Sequence, residues 1–213
     1  RHASHLPDGL LQDELTTFNQ SVLNLSYELE HLDLRLADNT AALQKIALFD
    51  PLTGLANRNL LQQQLRAALA GLSQHSGYVG LLFLDLDKFK TINNSRSHAT
   101  GDLLLIETAQ RLQSLCEGDE VVCRFGGDEF ALVMPHMSDP QQAEVMAWRV
   151  LALFDQPFLH WQGAVSLSAS IGISRYPEDG QDVATLVKNA DAAMYRSKAR
   201  GRNRVELYTR DLT

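Results

Sequence analysis

The chain has 213 residues, 45% of them apolar and 21% charged, with a formal net charge of −7 at pH 7. These values are typical of globular proteins and exclude collagen-like, low-complexity and largely disordered classes. The acidic balance argues against broad nucleic-acid binding, so we expect no nucleic-acid partner, but it is compatible with a small anionic ligand held with a metal ion. Two cysteines, Cys116 and Cys123, are too few for a disulfide framework and indicate a reducing compartment.

The first third of the chain repeats apolar residues at alternating gaps of three and four. The ten positions of this series, of which all but Asn39 are apolar, are Leu15, Phe18, Val22, Leu25, Leu29, Leu32, Leu36, Asn39, Leu43 and Ile46. This is the a/d seam of a coiled coil, which we expect over residues 15–47. Asn39 is the polar seam residue, and a buried Asn favours a parallel dimer in fixed register. The alternative is an amphipathic helix packed on its own domain.

Beyond Asp50-Pro51 the pattern changes to alternating strands and helices. It predicts helices over 57–70, 101–116, 140–154 and 182–198, and strands over 79–84, 121–125, 130–134 and 165–174. The resulting order β-α-β-β-α-β is that of a ferredoxin-like split βαβ sheet. We therefore expect an α+β fold with flanking helices, preceded by a long coiled-coil helix.

Two groups of carboxylates stand out in this plan. Asp85 follows the buried strand over 79–84, with Asp87 two residues later, and Asp128 and Glu129 follow two glycines at a predicted hairpin tip. If the strand and the hairpin are neighbours, Asp85, Asp128 and Glu129 converge at one edge and repel one another unless a divalent cation is bound. Oxygen ligands of this kind suit Mg²⁺ or Mn²⁺ and indicate metal-assisted phosphoryl transfer. A loop-capping role for Asp85 is the alternative.

The end of the last predicted helix is strongly basic. Five bases occupy nine positions: Arg196, Lys198, Arg200, Arg202 and Arg204. Such enrichment alone is explained by the helix dipole. Beside a metal site it favours neutralisation of a triphosphate, with Lys198 and Arg202 as the best candidates.

The segment Arg-Phe-Gly-Gly-Asp-Glu-Phe over 124–130 resembles the signature of GGDEF domains. Similar motifs occur at the family's spacing over 50–58, 84–93, 101–102, 170–173 and 190–204, so the resemblance covers residues 48–213. It implies the nucleotidyl-cyclase palm fold and a bacterial diguanylate cyclase. Such an enzyme joins two GTP into cyclic di-GMP and releases two pyrophosphates between two facing domains of a homodimer.

The resemblance also implies roles for individual residues. Asp85, Asp128 and Glu129 form the catalytic set, and with the Leu86 carbonyl they are the ligands of two Mg²⁺ (or Mn²⁺) per active site, with Asp128 as the base for the attacking 3′-hydroxyl. The remaining implied contacts are to substrate: Asn93 and Asp102 on guanine, His98 near the nucleoside, Gly126 and Gly127 where the ligand comes close, and Lys88, Phe89, Lys90, Lys198 and Arg202 on the phosphates.

The chain departs from the family pattern in two places. Asn94 and Ser97 replace the usual Asp and Gly of the nucleoside loop, which puts GTP affinity in doubt. Glu117 and Glu120 replace the Arg-x-x-Asp pair of the product-inhibition site, and an acid there repels phosphates. We therefore expect no product inhibition through this site. The rival interpretations are a catalytically silent GGDEF domain that senses GTP or docks partners, and a mononucleotide cyclase on the related palm fold.

The start of the chain resembles a signalling module. Asp13-Glu14-Leu15 and Phe18-Asn19 are similar to a shortened second helix of a HAMP module, so residues 1–14 are a HAMP remnant or linker in this interpretation. It implies that an upstream sensor controls the cyclase through the coiled coil. The parent would then be a bacterial inner-membrane receptor, with its membrane part missing from this fragment and this domain in the cytoplasm.

Overall fold

The computed structural model describes residues 8–72, 77–160 and 163–210. The helices are α1 (Asp8–Leu48), α2 (Arg58–Leu72), α3 (Phe89–Ser95), α4 (His98–Gln113), α5 (Gln142–Ala152) and α6 (Val183–Ala199). The strands are β1 (Tyr78–Leu86), β2 (Val121–Gly126), β3 (Glu129–Met137), β4 (Phe158–His160), β5 (Gly163–Val165), β6 (Ala169–Tyr176) and β7 (Arg204–Leu207). The chain divides into two compact units, with the boundary between Ile46 and Ala47.

The N-terminal unit contributes one long helix to the described part of the chain. α1 spans 41 residues. Its nine apolar residues of the three–four series are 45–76% exposed in the single chain. Residues 1–7 of the HAMP-like segment lie outside the described residues. Among the residues that are described, no helix combines the length and apolar character needed to span a membrane.

The second unit is built on a five-stranded sheet in the order β2-β3-β1-β6-β7. β1 lies at its centre and pairs antiparallel with β3 and β6, whereas β7 runs parallel to β6. β4 and β5 form a separate two-stranded hairpin. The α+β split βαβ arrangement predicted from the sequence is thus confirmed, with β7 as an additional edge strand.

The continuous apolar run of β1 follows from burial on both faces of the sheet. Leu82, Leu84 and Leu86 pack into the core that includes α4 and α5 residues. Leu81 and Phe83 point to the opposite face, in the core formed with α2 and α6. A strand buried on both sides has no polar face, so it shows no alternation in the sequence.

Several predicted boundaries were wrong. α3 was not expected, and α4 begins at His98 because the Ser97 hydroxyl accepts a hydrogen bond from the Thr100 amide at 3.1 Å. α5 begins at Gln142 rather than at Pro140. The strand predicted over 165–174 is divided between β5 and β6, and β6 extends to Tyr176.

Candidate active site

The carboxyl end of β1 and the β2–β3 hairpin form one edge of the sheet. Asp85 lies directly opposite Glu129 in the β1–β3 register. The Leu86 amide donates to the Asp128 carbonyl at 3.2 Å. Gly127 has a φ of +50°, which a glycine adopts without steric cost, and this conformation shapes the hairpin tip. The structure therefore brings Asp85, Leu86, Asp128 and Glu129 to one edge.

This edge concentrates negative charge in a half-buried environment. Burial raises the pKa of Asp85, and the charges of Asp128 and Asp87 act in the same direction, although the Lys198 ammonium opposes them. The pKa of Glu129 is also raised, first by burial and then by the charge of Asp85. Both carboxylates are therefore harder to ionise than in water, and a bound cation would favour their charged forms.

Lys198 supplies positive charge to this edge. Its Nζ lies 2.6 Å from Asp85 Oδ2. Across residues 8–72, 77–160 and 163–210, no three His, Cys, Asp or Glu side chains are grouped so that they could hold a metal ion. The available donors are nevertheless oxygens of the kind that Mg²⁺ and Mn²⁺ prefer, namely the carboxylates of Asp85 and Asp128 and the Leu86 carbonyl. The donor chemistry fits a divalent cation, and these residues are the candidates to hold it.

Four of the five bases near the end of α6 divide into two groups. Arg196 donates to the Leu207 carbonyl at 2.7 Å, and both Arg196 and Arg200 pair with Glu206 of β7. These arginines hold β7 against α6. Lys198 faces Asp85, and Arg202 Nε lies 4.0 Å from Asp87 Oδ1. Lys198 and Arg202, the two candidates predicted to neutralise a triphosphate, thus lie beside Asp85 and Asp87.

A cavity of about 330 Å³ lies beside Arg202. The turn that follows β1 and the turn that follows α6 line it, with Lys88 and Arg202 as its cationic side chains. Lys88 has a φ of +57° and precedes Phe89, the buried first residue of α3, while Lys90 is exposed. The position of Lys88 and Arg202 on one cavity suits an anionic group.

The residues implied to bind the nucleoside lie on α3 and α4. The Asn93 Nδ2 atom is 3.2 Å from His98 Nδ1, so the two side chains share a hydrogen bond. The Asn93 Oδ1 atom is buried and lacks a hydrogen-bond partner within the described part of the chain. A Cβ on Gly101 would lie 2.5 Å from that oxygen, which explains the glycine at this close approach. Asp102 is exposed, one turn after His98.

Sequence reasoning assigned no role to Arg124, although it begins the signature segment. Its Nε and Nη2 donate to the Gly127 carbonyl at 3.0 and 2.8 Å. Its Nη1 lies 3.1 Å from Asp50 Oδ1. Arg124 therefore joins the hairpin tip to the turn at Asp50. Both residues lie in motifs that were recognised, but their contact spans 74 positions and has no local signal.

The acidic pair at the expected product-inhibition position lies between α4 and β2. Glu117 Oε1 accepts from Arg149 Nη2 at 3.2 Å. Glu120 Oε2 accepts from the Gly118 amide at 2.8 Å. Arg149, which contributes the guanidinium to these contacts, is thus already paired with the Glu117 carboxylate.

Comparison with known proteins places this site in a family. Residues 47–204 match the family described as "Diguanylate cyclase, GGDEF domain". The bifunctional diguanylate cyclase/cyclic di-GMP phosphodiesterase MucR of Pseudomonas aeruginosa is 36% identical over 209 residues, which cover 93% of this chain and 30% of MucR. The chain therefore spans less than a third of that relative's length.

Solved structures agree with the match. The GGDEF domain of TpbB (YfiN) from Pseudomonas aeruginosa has a TM-score of 0.72 and 35% identity, covering 74% of this chain and 98% of that one. The coiled coil and GGDEF domain of DgcB from Caulobacter crescentus, in complex with c-di-GMP, has a TM-score of 0.74 and 26% identity, covering 90% and 99%. The fold, the hairpin signature and these matches show that the chain belongs to the GGDEF family of diguanylate cyclase domains.

Proposed function

We propose that this protein is a diguanylate cyclase that condenses two GTP into cyclic di-GMP and two pyrophosphates. The observation that carries the proposal is the sheet edge where Asp85 and Glu129 face each other beside Lys198. Carboxylates suited to bind a divalent cation and cationic side chains suited to bind phosphates lie together there, as phosphoryl transfer requires. Relatives named diguanylate cyclase, such as TpbB at 37% identity over 195 residues, support the same activity.

The reaction assigns a task to each group at the edge. Cyclases of this family depend on a divalent cation, and we propose two Mg²⁺ per site, which neutralise charge on the phosphate oxygens when bound. Lys198 and Arg202 hold the β- and γ-phosphates. The Asp128 carboxylate accepts the proton of the 3′-hydroxyl of one GTP, while that 3′-oxygen forms a bond to the α-phosphorus of the second GTP. Pyrophosphate leaves from that phosphorus, so atoms and charge balance.

Selection of GTP is assigned to the α3–α4 region. Asn93 and Asp102 bind the guanine edge, and His98 holds the Asn93 amide through the hydrogen bond between their side chains. The turn over Lys88, Phe89 and Lys90 offers backbone amides to the phosphates. Gly126 and Gly127 lack side chains that would obstruct the ligand, and no atom lies within 4 Å of a Cβ built on either.

Two domains must face each other, because each 3′-oxygen attacks the other domain's nucleotide. The exposed seam of α1 supports a homodimer through a parallel coiled coil, which would raise the effective concentration of the second domain. The related DgcB structure is described as a coiled coil joined to a GGDEF domain. We propose that an upstream sensor controls activity by changing this helix pairing.

The activity is tested by incubating the full chain with GTP and Mg²⁺ and separating the nucleotides by ion-exchange chromatography. We expect cyclic di-GMP from the wild-type chain and a loss of about 10²-fold or more in Asp128→Asn, the range for removal of a general base. Asp119→Asn is the matched control, because Asp119 is an exposed carboxylate outside the site. GTP binding without product would support the silent alternative, and cyclic GMP alone would indicate a mononucleotide cyclase.

The dimer is tested on the same helix with paired variants. Leu32→Asp places a charge in the seam, whereas Leu34→Asp places one on an exposed residue outside it. We expect Leu32→Asp to become monomeric by light scattering and to lose activity at low protein concentration. Leu34→Asp should keep both the dimer and the activity. Equal behaviour of the two variants would contradict pairing through the seam.

A further inference from the structure

Asp87 is the acidic residue of the β1 end that the proposed reaction does not use. It is 5% exposed, and both of its carboxylate oxygens are engaged. Ser170 Oγ donates to Oδ1 at 2.7 Å, and Ser168 Oγ donates to Oδ2 at 2.7 Å. In the sequence, Asp87 stands out only as a second carboxylate two residues after Asp85. The structure instead shows a carboxylate that accepts hydrogen bonds from neighbouring protein groups.

The third donor to Asp87 comes from a distant part of the chain. The Asn203 amide donates to Asp87 Oδ2 at 3.1 Å. Asn203 ends the turn over 201–203, in which three successive residues have positive φ: Gly201 at +115°, Arg202 at +65° and Asn203 at +48°. Left-handed backbone is unfavourable for residues other than glycine and persists where surrounding contacts hold it. Asp87 supplies such a contact from the end of β1.

The held turn carries one of the two cations at the site. Arg202 lies at the centre of the turn with a side chain that is 48% exposed, and its Nε is 4.0 Å from Asp87 Oδ1. Arg202 and Asn203 line the cavity together with Asp87 and Lys88. The conformation of the turn over 201–203 therefore determines the position of the Arg202 guanidinium relative to the turn that follows β1.

We propose that Asp87 is a positioning residue that anchors the turn over 201–203, so that Arg202 faces the terminal phosphates of GTP. This inference rests on the proposed function, because it takes the phosphates of GTP as the anion. Asp87 acts through the Asn203 amide and does not touch substrate. A carboxylate near phosphates would by itself repel them, so the positioning role and simple electrostatics predict opposite effects of its removal.

The test compares two variants of Asp87 in the full chain by calorimetric titration with Mg²⁺ and the α,β-methylene analogue of GTP, which cannot release pyrophosphate. Asp87→Ala should weaken binding about tenfold, because it leaves the Asn203 amide without its acceptor. Asp87→Asn should retain most of the affinity, because the amide oxygen can accept from Asn203 while the amide nitrogen donates to a Ser170 hydroxyl. GMP, which lacks the terminal phosphates, should bind all forms alike.

A double-mutant cycle with Arg202→Ala supplies the second readout. If Asp87 acts through Arg202, Asp87→Ala should weaken binding of the analogue no further once Arg202 is replaced. If Asp87→Ala does not fold, the double variant Ser168→Ala/Ser170→Ala removes the hydroxyls that orient the carboxylate, and a loss of about threefold is expected.

The outcomes separate this inference from the proposed function. A wild-type chain that does not bind the analogue would overturn both. Binding that Arg202→Ala weakens, but that Asp87→Ala leaves unchanged or tightens, would overturn the positioning role alone. The same holds if Asp87→Asn binds as weakly as Asp87→Ala, or if GMP affinity falls in parallel with that of the analogue.

Discussion

Replacing Gly172 with alanine tests how α6 is held against the sheet. Gly172 lies on β6, and the three atoms nearest to a Cβ built there are all backbone atoms of α6: the Ala190 carbonyl oxygen, the Met194 nitrogen and the Ala193 carbonyl carbon. The distance to the Ala193 carbon would be 2.8 Å, about 0.6 Å short of ordinary contact, and the other two are closer. No side chain can rotate away, so the helix itself must move.

The cost follows from this geometry. Overpacking of a well-packed core costs typically 1–3 kcal/mol, and a clash with helix backbone belongs at about the upper end. For a chain of this size, about 3 kcal/mol corresponds to a Tm roughly 6–12 °C lower. The same movement would lengthen the 2.6 Å contact of Lys198 with Asp85, so we expect weaker binding of the GTP analogue as well.

Scanning calorimetry at one fixed protein concentration measures this change, because the proposed dimer would make Tm depend on concentration. Gly71→Ala is the matched control, since Gly71 lies in α2 and a Cβ there meets nothing within 4 Å. It should leave Tm unchanged or raise it slightly, as alanine is favoured over glycine in helices by roughly 0.5–1 kcal/mol. A Gly172→Ala chain that melts with the wild type would refute the packing argument.

Three further outcomes follow from the site and the core. Burial acts to raise the pKa of Asp50, but hydrogen bonds from Thr53 and the Arg124 guanidinium lower it overall. A pKa that folding lowers contributes stability above the unfolded pKa of about 4, and this contribution is lost as the pH falls through the folded pKa. Asp50→Asn should therefore lower Tm by more at pH 7 than at pH 3. Equal losses at both pH values would contradict this. Titration calorimetry should detect no tight binding of cyclic di-GMP to the acidic segment 117–120. If the chain binds cyclic di-GMP elsewhere, Glu117→Ala should leave that affinity unchanged. Burial raises the pKa of Cys123 to about 12, so iodoacetamide at pH 8 should alkylate it only after unfolding, as mass spectrometry would show.

Strong local signals account for the parts of the fold that the sequence predicted. The hairpin over β2 and β3 was expected from two apolar runs around Gly126 and Gly127, and its pairing is observed. The helices predicted to start at Asn57 and Asp182 do start there, because each of these side chains caps its helix by accepting a hydrogen bond from an amide of the first turn. In each case the deciding residues are neighbours in the chain.

The elements that were missed depend on distant partners. α3 has a single buried residue, Phe89, so its seven residues show no apolar period. β7 is four residues long and half-buried throughout, and it exists through parallel pairing with residues 170–173 of β6. No periodicity in the sequence reports such pairing, because the partner strand lies about 30 residues away.

The same distinction applies to the candidate site. The approach of Asp85 to the hairpin could be inferred, because the split βαβ order makes their strands neighbours. The contact of Lys198 with Asp85 could not, because it depends on how closely α6 approaches β6. The sequence singled out Lys198 and Arg202 among the five bases, but the pairing of two other arginines with Glu206 is visible only in the three-dimensional contacts.

Two packing features therefore determine the positions of the cationic side chains Lys198 and Arg202 at this edge. Gly172 allows the close approach of α6 and so places Lys198, whereas Asp87 anchors the following turn and places Arg202. Neither Gly172 nor Asp87 contacts the substrate, and each positions a different cationic side chain. The effects of replacing them on phosphate binding should therefore be nearly additive. Their effects on stability should differ, since a backbone clash strains the core while a lost acceptor loosens one turn. The chain's net charge of −7 is thus compatible with an anionic substrate, because local packing decides the charge that the substrate meets.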